Sequence, residues 1–176
     1  MKYSENPVFA AVMLLIFPVG NEPNIVFIKR PEYIGAHSNQ VSFPGGRVEK
    51  DDVNLAATAI RETQEELGNN LDNITIIGNL TPLLIPISGY EVHPYVGAIE
   101  YCPVWQPDPG EVLYTMDVPL KELFDEKNQK KETWVFNGIE REVPFYAVNN
   151  EKIWGATAMI LAEFETILKN ICLCIE

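Results

Sequence analysis

Cysteine is scarce in this chain. The 176 residues include only three, Cys102, Cys172 and Cys174, an odd number with no Cys-x-x-Cys spacing. Disulfide frameworks use cysteines in even numbers and zinc sites use closely spaced pairs, so the pattern predicts neither kind of site. We therefore expect buried or incidental thiols in a reducing compartment.

Positive charge is scarce as well. Only 13 lysines and arginines stand against 25 aspartates and glutamates, which gives a formal net charge of −12. Such a field opposes binding to nucleic acid or to an anionic membrane surface, and the sequence has no basic stripe with interleaved aromatic residues. We expect neither partner. A polyanionic substrate would need a local source of positive charge.

Long hydrophobic runs are missing too. The apolar run FAAVMLLIF, from Phe9 to Phe17, is far shorter than the about 20 residues of a membrane-spanning helix. Acidic Glu5 precedes it and no small-residue cleavage pattern follows closely, so it does not resemble a secretory signal. The C-terminal letters CLCIE contain no lipidation or peroxisomal address. We expect a cytoplasmic protein.

Short apolar segments bounded by glycine, proline or polar turns predict β-strands. Val8–Phe17 and Ile25–Arg30 predict a hairpin, Val41–Phe43 predicts a short strand, and Asn137-Gly138 between two alternating runs predicts a second hairpin. Four further segments predict strands: ITIIGNL, PLLIPIS, VHPYVGAIE and EVLYTMDV. No repeat, low-complexity tract or linker interrupts the order, so residues 1–176 are expected to form a single domain.

Helices are predicted at three places. PLKELF predicts a short one, and Trp154–Lys169 predicts a C-terminal helix with Ala156, Met159, Ile160, Phe164 and Leu168 on its buried face. The third runs from an Asn54 cap to Leu67 and stops at Gly68. Its predicted buried stripe is Leu55, Ala56, Ala59, Ile60, Thr63 and Leu67. This order of elements predicts an α/β (α+β) fold, a mixed β-sheet flanked by helices.

The Asn54 helix carries a cluster of acids. Glu62, Glu65 and Glu66 are three and four residues apart and project from one region of its surface. Like charges at this spacing repel, but Mg²⁺ or Mn²⁺ binds carboxylate oxygens at about 2.0–2.2 Å and keeps other positions for water and phosphate. Arg61 could orient Glu65, and the Pro44-Gly45-Gly46 turn could bring the Gly46 carbonyl towards the ions. The cluster predicts hydrolysis at phosphorus by a bound water whose pKa the metal lowers.

A plainer interpretation stays open at this point. Charges on an amphipathic helix often form only its solvated face. Glu49, Asp51 and Asp52 are in that case ordinary loop acids. Spacing alone does not decide between the two interpretations.

The letters RETQEELG, from Arg61 to Gly68, resemble half of the Nudix box, a loop–helix–loop signature written G-x5-E-x7-R-E-U-x-E-E-x-G-U, where U is a bulky aliphatic residue. The upstream half is one residue longer than the general box, and Val53 falls in the position of its acid. This longer loop is similar to that of the coenzyme A pyrophosphatase-like branch of the family, whose acidic positions match Glu49 and Asp52.

The branch resemblance extends over nearly the whole chain, about Val8 to Leu168. The stretch FIKRPEYIGAHSNQVSFPGG is similar to the upstream motif of the branch, with matches at Arg30, Ile34, His37, Gln40, Ser42, Phe43 and Pro44. Departures also occur. Gly35 stands where the branch has an arginine, Ser38-Asn39 replaces Pro-Gly, and Thr63 and Asn69 replace bulky aliphatic residues of the box.

The resemblance implies roles for individual residues. Metal ligands would be Glu62, Glu65 and Glu66 with the Gly46 carbonyl, and catalytic residues would be Arg61, Glu62, Glu65 and Glu111. The general base would be Glu62 or a later loop acid, for which Glu111 is the best remote candidate; the alternative is that Glu111 only caps a turn. Arg30, His37 and Gln40 would line the substrate site, unless His37 is an ordinary surface residue. We expect His93 to be structural and Trp154 to pack in the core rather than stack on adenine.

The activity implied by the resemblance is divalent-metal-dependent hydrolysis, with Mg²⁺ or Mn²⁺, of a nucleoside diphosphate linked to another moiety. The fold would be a single Nudix domain, an α/β/α sandwich. Coenzyme A, cleaved to 3′,5′-ADP and 4′-phosphopantetheine, is the leading substrate, and ADP-ribose or a dinucleotide is the alternative. A Nudix module that binds a nucleotide without hydrolysing it is a different class that remains open. A homodimer is expected only by analogy with other Nudix proteins.

Overall fold

The computed structural model describes residues 7–34, 37–68 and 71–173. The chain begins with the predicted hairpin, formed by β1 (Val8–Val19) and β2 (Glu22–Lys29) in antiparallel register with Ile16 opposite Ile25. Both strands are rich in β-branched and apolar residues, which suits a sheet buried on its two faces.

The central sheet is mixed. Its path is β3 (Val41–Ser42), β2, β1, β7 (Tyr90–Ala98) and β5 (Thr75–Asn79), and β1 and β7 run parallel. Three more strands pair with this path: β4 (Gly45–Arg47) with β1, β6 (Leu83–Ile85) with β7, and β8 (Tyr114–Pro119) with β2. The strand predictions from the sequence are confirmed, and β4 is an addition to them.

Side-chain alternation along β1 divides the hydrophobic core between the two faces of the sheet. Ala11, Met13 and Leu15 belong to the core beneath helix α1 (Leu55–Leu67), whereas Ala10 and Leu14 belong to the core on the other face. Helix α3 (Gly155–Leu173) covers that other face, and α2 (Leu120–Leu123) lies at its margin. The fold is therefore the predicted mixed sheet with helices on both sides.

A smaller antiparallel sheet follows the central one. Its order is β11 (Glu151–Trp154), β10 (Ile139–Val148) and β9 (Gln129–Phe136), and a 3₁₀ turn over Glu126–Asn128 leads into it. Asn137 and Gly138 join β9 to β10 with positive φ angles of 51° and 78°, as a two-residue hairpin turn requires. This predicted hairpin is confirmed.

The C-terminal prediction is wrong in the bounds of the helix and in one buried residue. Trp154 ends strand β11, so the helix begins one residue later at Gly155, and it continues to Leu173 instead of ending at Lys169. Met159 is 58% exposed, because the helix turns a different stripe inwards. The buried stripe is Ala158, Ile160, Leu161 and Phe164. Cys102 is a free, exposed thiol, while Gly35, Asn69 and Cys174 lie outside the described residues.

No helix in the described part of the chain is both long and apolar enough to cross a membrane.

Candidate active site

Helix α1 carries the acidic cluster, and local hydrogen bonds fix both of its ends. The Asn54 side chain accepts the Ala57 N–H at 2.9 Å, which satisfies a first-turn amide that has no partner within the helix. At the other end the Gly68 N–H donates to the Gln64 carbonyl at 2.8 Å, and the φ of Gly68, 123°, suits glycine. Ala59, Thr63 and Leu67 are buried on the sheet side of α1. This packing determines which carboxylates turn inwards.

The three glutamates of the cluster occupy different environments. The Glu66 side chain is only 1% exposed and that of Glu62 13%, whereas that of Glu65 is 51% exposed. Residues four apart lie nearly above one another on a helix, so Glu62 and Glu66 share the inward side while Glu65 is rotated towards solvent. The solvated-face interpretation therefore fits Glu65 alone.

Glu66 is held by donors from two other segments. Its Oε2 accepts the Gly45 N–H at 2.7 Å and its Oε1 accepts from the Arg30 guanidinium at 3.2 Å. Arg30 also donates to the Gly45 carbonyl at 3.0 Å. Burial raises the pKa of Glu66 to about 8, with Arg30 and the Gly45 N–H acting in the opposite direction. Gly45 was not among the residues predicted from the sequence, although it belongs to the Pro-Gly-Gly signal.

Glu62 lies directly against Gly46. Gly46 pairs with Ala11 in the β1–β4 ladder, and a Cβ atom at this position would overlap the Glu62 carboxylate. Burial raises the pKa of Glu62, and the negative charges of Glu65 and Glu111 add to the rise, while Arg61 opposes it. A side chain at this position would therefore displace the Glu62 carboxylate.

Arg61 connects the loop before α1 to the acidic cluster. It donates to Glu65 at 2.8 Å, as the sequence spacing suggested, and to Glu62 at 3.0 Å. The same guanidinium reaches the Arg47 carbonyl at 2.9 Å and both carboxylate oxygens of Asp52 at 3.0 Å. A planar group with five donors is well suited to holding several oxygens at once.

The Asp52 carboxylate accepts the hydrogen bonds that attach the loop before α1 to the helix. Besides Arg61, it accepts the Thr58 hydroxyl at 2.8 Å and the Glu49 N–H at 2.8 Å. The hydrogen bonds from Arg61 hold the pKa of Asp52 well below its usual range. Its side chain is 6% exposed, whereas that of Glu49 is 67% exposed. Asp52 thus fastens the longer loop to the helix, and Glu49 remains close to an ordinary loop acid.

The loop before β8 brings Glu111 to the same region. The Gln106 N–H donates to the Leu67 carbonyl at 2.8 Å, and the Asp108 N–H donates to the Glu66 carbonyl at 3.1 Å. The charge of Glu111 contributes to the raised pKa of both Glu62 and Glu66. The structure therefore brings Glu111, 45 residues after Glu66 in sequence, towards the inward carboxylates.

His37 and Gln40 lie in the loop between β2 and β3. The ring Nδ1 of His37 is 3.3 Å from Gln40 Oε1, and the Arg30 N–H donates to the Gln40 carbonyl at 3.0 Å. Arg30 connects this loop to the acidic cluster, because it contacts both Gln40 and Glu66. His93 pairs with Glu91 on β7, which agrees with the structural role expected for it. Trp154 is half-buried and packs edge-on against Trp134 of the smaller sheet, so the expected core packing is not what the structure shows.

The donor set fits a hard divalent cation. Glu62 and Glu66 are desolvated, and the charge of Glu111 adds to the raised pKa of both, so a cation would offset the cost of these negative charges. Within the described residues, no group of three or more His, Cys, Asp or Glu side chains already converges on one point. Glu62 and Glu66 lie on the inward side of α1, Glu65 is bound by Arg61, and the Glu111 side chain is exposed.

The family model of the NUDIX domain matches residues 7–136 of the chain. The chain belongs to the Nudix family. A Nudix hydrolase, NudL of Yersinia pestis (strain Pestoides F), is 32% identical over 140 residues, which is 80% of this chain and 70% of NudL. The chain is accordingly a Nudix pyrophosphohydrolase acting on nucleoside diphosphate derivatives, a class that generally uses divalent metals.

Solved Nudix structures share the fold. A MutT/nudix family protein from Enterococcus faecalis aligns with 96% of this chain and 65% of its own, at a TM-score of 0.58 and 16% identity. The NUDIX domain of Shewanella oneidensis NrtR, crystallised with ADP ribose, aligns with 68% of this chain and 77% of its own, at a TM-score of 0.53 and 12% identity. At these identities the Nudix fold is what the similarity establishes.

Proposed function

We propose that this Nudix hydrolase cleaves the diphosphate of coenzyme A or its derivatives and releases 3′,5′-ADP and 4′-phosphopantetheine. The observation that carries the proposal is the combination of an intact RETQEELG segment with the longer loop that Asp52 closes onto Arg61. The upstream match at Arg30, His37 and Gln40 supports the same branch of the family.

The residues divide the work according to their environments. Glu62 and Glu66 would hold Mg²⁺ or Mn²⁺ from the inward side of α1, with Glu65 as a further ligand and a backbone carbonyl from Gly46, or from Gly45 beside it. Arg61 keeps Glu65 and Glu62 in place from one side. When bound, the metal supplies charge stabilisation to the diphosphate oxygens.

The reaction itself needs a proton acceptor for the attacking water. Glu111 would take that proton while the water oxygen bonds to one phosphorus and the bridging P–O bond breaks, so the other phosphate departs with the bridging oxygen. Arg30, His37 and Gln40 would face the substrate. The Arg30 guanidinium donates to the Glu66 carboxylate and to the Gly45 carbonyl, so it places a positive charge at this site in an otherwise acidic protein.

ADP-ribose or a dinucleotide is the second candidate substrate. Gly35 stands where the coenzyme A branch has an arginine, which weakens the case for coenzyme A specifically. The NrtR domain, crystallised with ADP ribose, shows that the shared fold accommodates this ligand in that protein. A purely binding module is disfavoured because Glu62, Glu65 and Glu66 are all retained.

Four further statements remain predictions: a cytoplasmic location, the absence of nucleic-acid and membrane partners, a single domain over residues 1–176, and a homodimer.

A product screen by mass spectrometry tests the proposal. Purified protein with Mg²⁺ or Mn²⁺ receives coenzyme A, ADP-ribose, NADH and a deoxynucleoside triphosphate in parallel, with Glu66→Gln as the matched control. We expect 3′,5′-ADP and 4′-phosphopantetheine from coenzyme A, and neither from the variant. If only ADP-ribose were cleaved, it would replace coenzyme A as the proposed substrate. If the protein bound one of these compounds but turned over none of them, it would be a module that recognises a nucleotide without hydrolysing it.

A further inference from the structure

The loop of residues 106–112 is fastened to the C-terminal end of α1. The last carbonyls of a helix lack donors within the helix. Here the Leu67 carbonyl accepts the Gln106 N–H at 2.8 Å, and the Glu66 carbonyl accepts the Asp108 N–H at 3.1 Å. These two bonds fix the loop relative to Glu66, the most buried carboxylate of the site.

Asp108 also organises the turn that follows it. Its Oδ1 accepts the Gly110 N–H at 2.7 Å, and its carbonyl accepts the Glu111 N–H at 3.1 Å and the Val112 N–H at 2.8 Å. Aspartate stabilises turns in this way because its short side chain imitates a backbone acceptor. Val112 is buried in the core beneath α1 and anchors the far end of the turn.

Glu111 therefore lies on a backbone that is held from both sides. Its own side chain is exposed, so the turn, rather than side-chain packing, aims it. The chain just beyond it is held as well, because the Leu113 N–H donates to the Lys29 carbonyl at 2.8 Å, next to Arg30, which binds Glu66. A general base must lie within hydrogen-bond distance of the water that it deprotonates, so its side chain has to be placed accurately. A displacement of about 1 Å can cost a large part of the rate.

We propose that Asp108 is a positioning residue of the hydrolytic reaction, whose carboxylate and carbonyl hold the turn that presents Glu111 to Glu62 and Glu66. The inference rests on the proposed function, and in particular on Glu111 as the proton acceptor. Asp108 acts through Glu111, since its own carboxylate is engaged by the Gly110 N–H.

Steady-state kinetics on the cleaved diphosphate provide the first test. We expect Asp108→Ala to lower kcat by roughly 10- to 100-fold and to leave KM unchanged, because the turn is loosened while substrate contacts remain. Asp108→Asn keeps an acceptor suited to the turn and should retain most of the activity. Unchanged kcat in Asp108→Ala, or an equal loss in Asp108→Asn, would overturn the proposal.

The matched control is Asp125→Ala. Asp125 holds a turn of similar design, with its Oδ1 accepting the Lys127 N–H at 3.0 Å and its carbonyl accepting the Asn128 N–H at 2.9 Å. This turn precedes β9, and neither of these two bonds involves an acidic residue of α1. Activity should be unchanged in this variant. A loss equal to that of Asp108→Ala would show that disturbing any turn lowers activity, and would overturn the proposal.

A double-mutant cycle separates positioning from general damage. In the Glu111→Gln background, Asp108→Ala should cause no further loss, because the residue through which it acts is already gone. Additive losses would assign Asp108 a role independent of Glu111 and contradict the inference. If Asp108→Ala does not fold, Gly110→Ala takes its place in the cycle, since a Cβ there would lie 3.2 Å from Asp108 Oδ1 and would push that carboxylate away by a few tenths of an ångström.

Failure of this inference can be told from failure of the proposed function. A wild-type protein that cleaves no diphosphate would refute the function. Wild-type cleavage that persists fully in Glu111→Gln would leave the function intact and refute only the roles of Glu111 and Asp108.

Discussion

At Gly46 the backbone packs directly against the carboxylate of Glu62, one of the proposed metal ligands. A Cβ atom there would overlap the Glu62 carboxylate, so Gly46→Ala should displace Glu62 and lower kcat at least about tenfold. Its control is Gly78→Ala in β5, where no atom lies within 4 Å of the added Cβ. Both variants should fold, as thermal melts would show. Full turnover by Gly46→Ala would contradict the proposed placement of Glu62.

Asp52 should stabilise the loop before α1 through its charge. Replacing it by Asn keeps the shape but removes the charge-assisted bonds to Arg61, which should lower the free energy of unfolding by about 1–3 kcal/mol at neutral pH. Urea denaturation of the wild type and Asp52→Asn measures the difference.

The pH dependence of that difference has a definite sign. Because the folded-state pKa of Asp52 is depressed, its contribution is complete above the ordinary value of 3.8 and is lost as the pH falls towards the folded-state value. The gap between wild type and Asp52→Asn should therefore shrink between about pH 5 and about pH 2.5. A gap that stays constant would argue against the Asp52–Arg61 pair.

At the scale of residues, the sequence located the acidic cluster but could not rank its members. Helical spacing places Glu62, Glu65 and Glu66 in one region, yet their burial depends on how α1 lies on the sheet. The contacts of Glu66 with Gly45 and Arg30 join residues 21 and 36 positions apart. No local pattern contains such contacts, and so Gly45 and the positioning role of Asp108 needed the structure.

Helix α1 should depend measurably on its cap. Asn54→Ala removes the acceptor of the Ala57 N–H and should lower the free energy of unfolding by about 1 kcal/mol. Asn54→Asp keeps an acceptor and should be close to the wild type. Because the cap lies at the opposite end of α1 from Glu66, kcat should stay the same. Equal stability of the Ala variant and the wild type would show that the cap is not needed.

At the scale of elements, locally encoded features were predictable and tertiary ones were not. The Asn137-Gly138 turn and the Asn54–Gly68 helix boundaries follow from nearby residues alone. Strand β11 has only four residues and leads directly into α3, so its pattern merged with the helical one. Met159 was placed on the wrong side for a related reason, since the sheet beneath α3 selects which stripe is buried.

The whole molecule combines a net charge of −12 with an active site that binds an anionic substrate. Bound cations would resolve this conflict locally and should also stabilise the fold. A ligand that binds only the folded state adds stability, about 2.7 kcal/mol at 100 times its dissociation constant. Added Mg²⁺ should raise the melting temperature of the wild type relative to EDTA. The Glu66→Gln variant should respond much less, and an equal response would place the binding elsewhere.

At this scale the order of strands and helices and the RETQEELG segment were sufficient to predict the Nudix fold. The two cores on opposite faces of the sheet follow from the alternation of side chains along β1, a strand that is apolar on both faces. The substrate could not be predicted in this way, because His37, Gln40 and Glu111, which are proposed to face it or to act on it, lie in loops and turns that no periodic pattern describes.

One measurement tests the central claim most directly: the rate of coenzyme A cleavage with Mg²⁺ by the wild type, Glu65→Gln and Glu66→Gln, followed by mass spectrometry of both products. The proposed mechanism predicts 3′,5′-ADP and 4′-phosphopantetheine from the wild type, a reduced rate in Glu65→Gln, and a greater loss, at least about 100-fold, in Glu66→Gln, whose carboxylate is buried at the site. Cleavage that persists in Glu66→Gln, or no cleavage by the wild type, would contradict it.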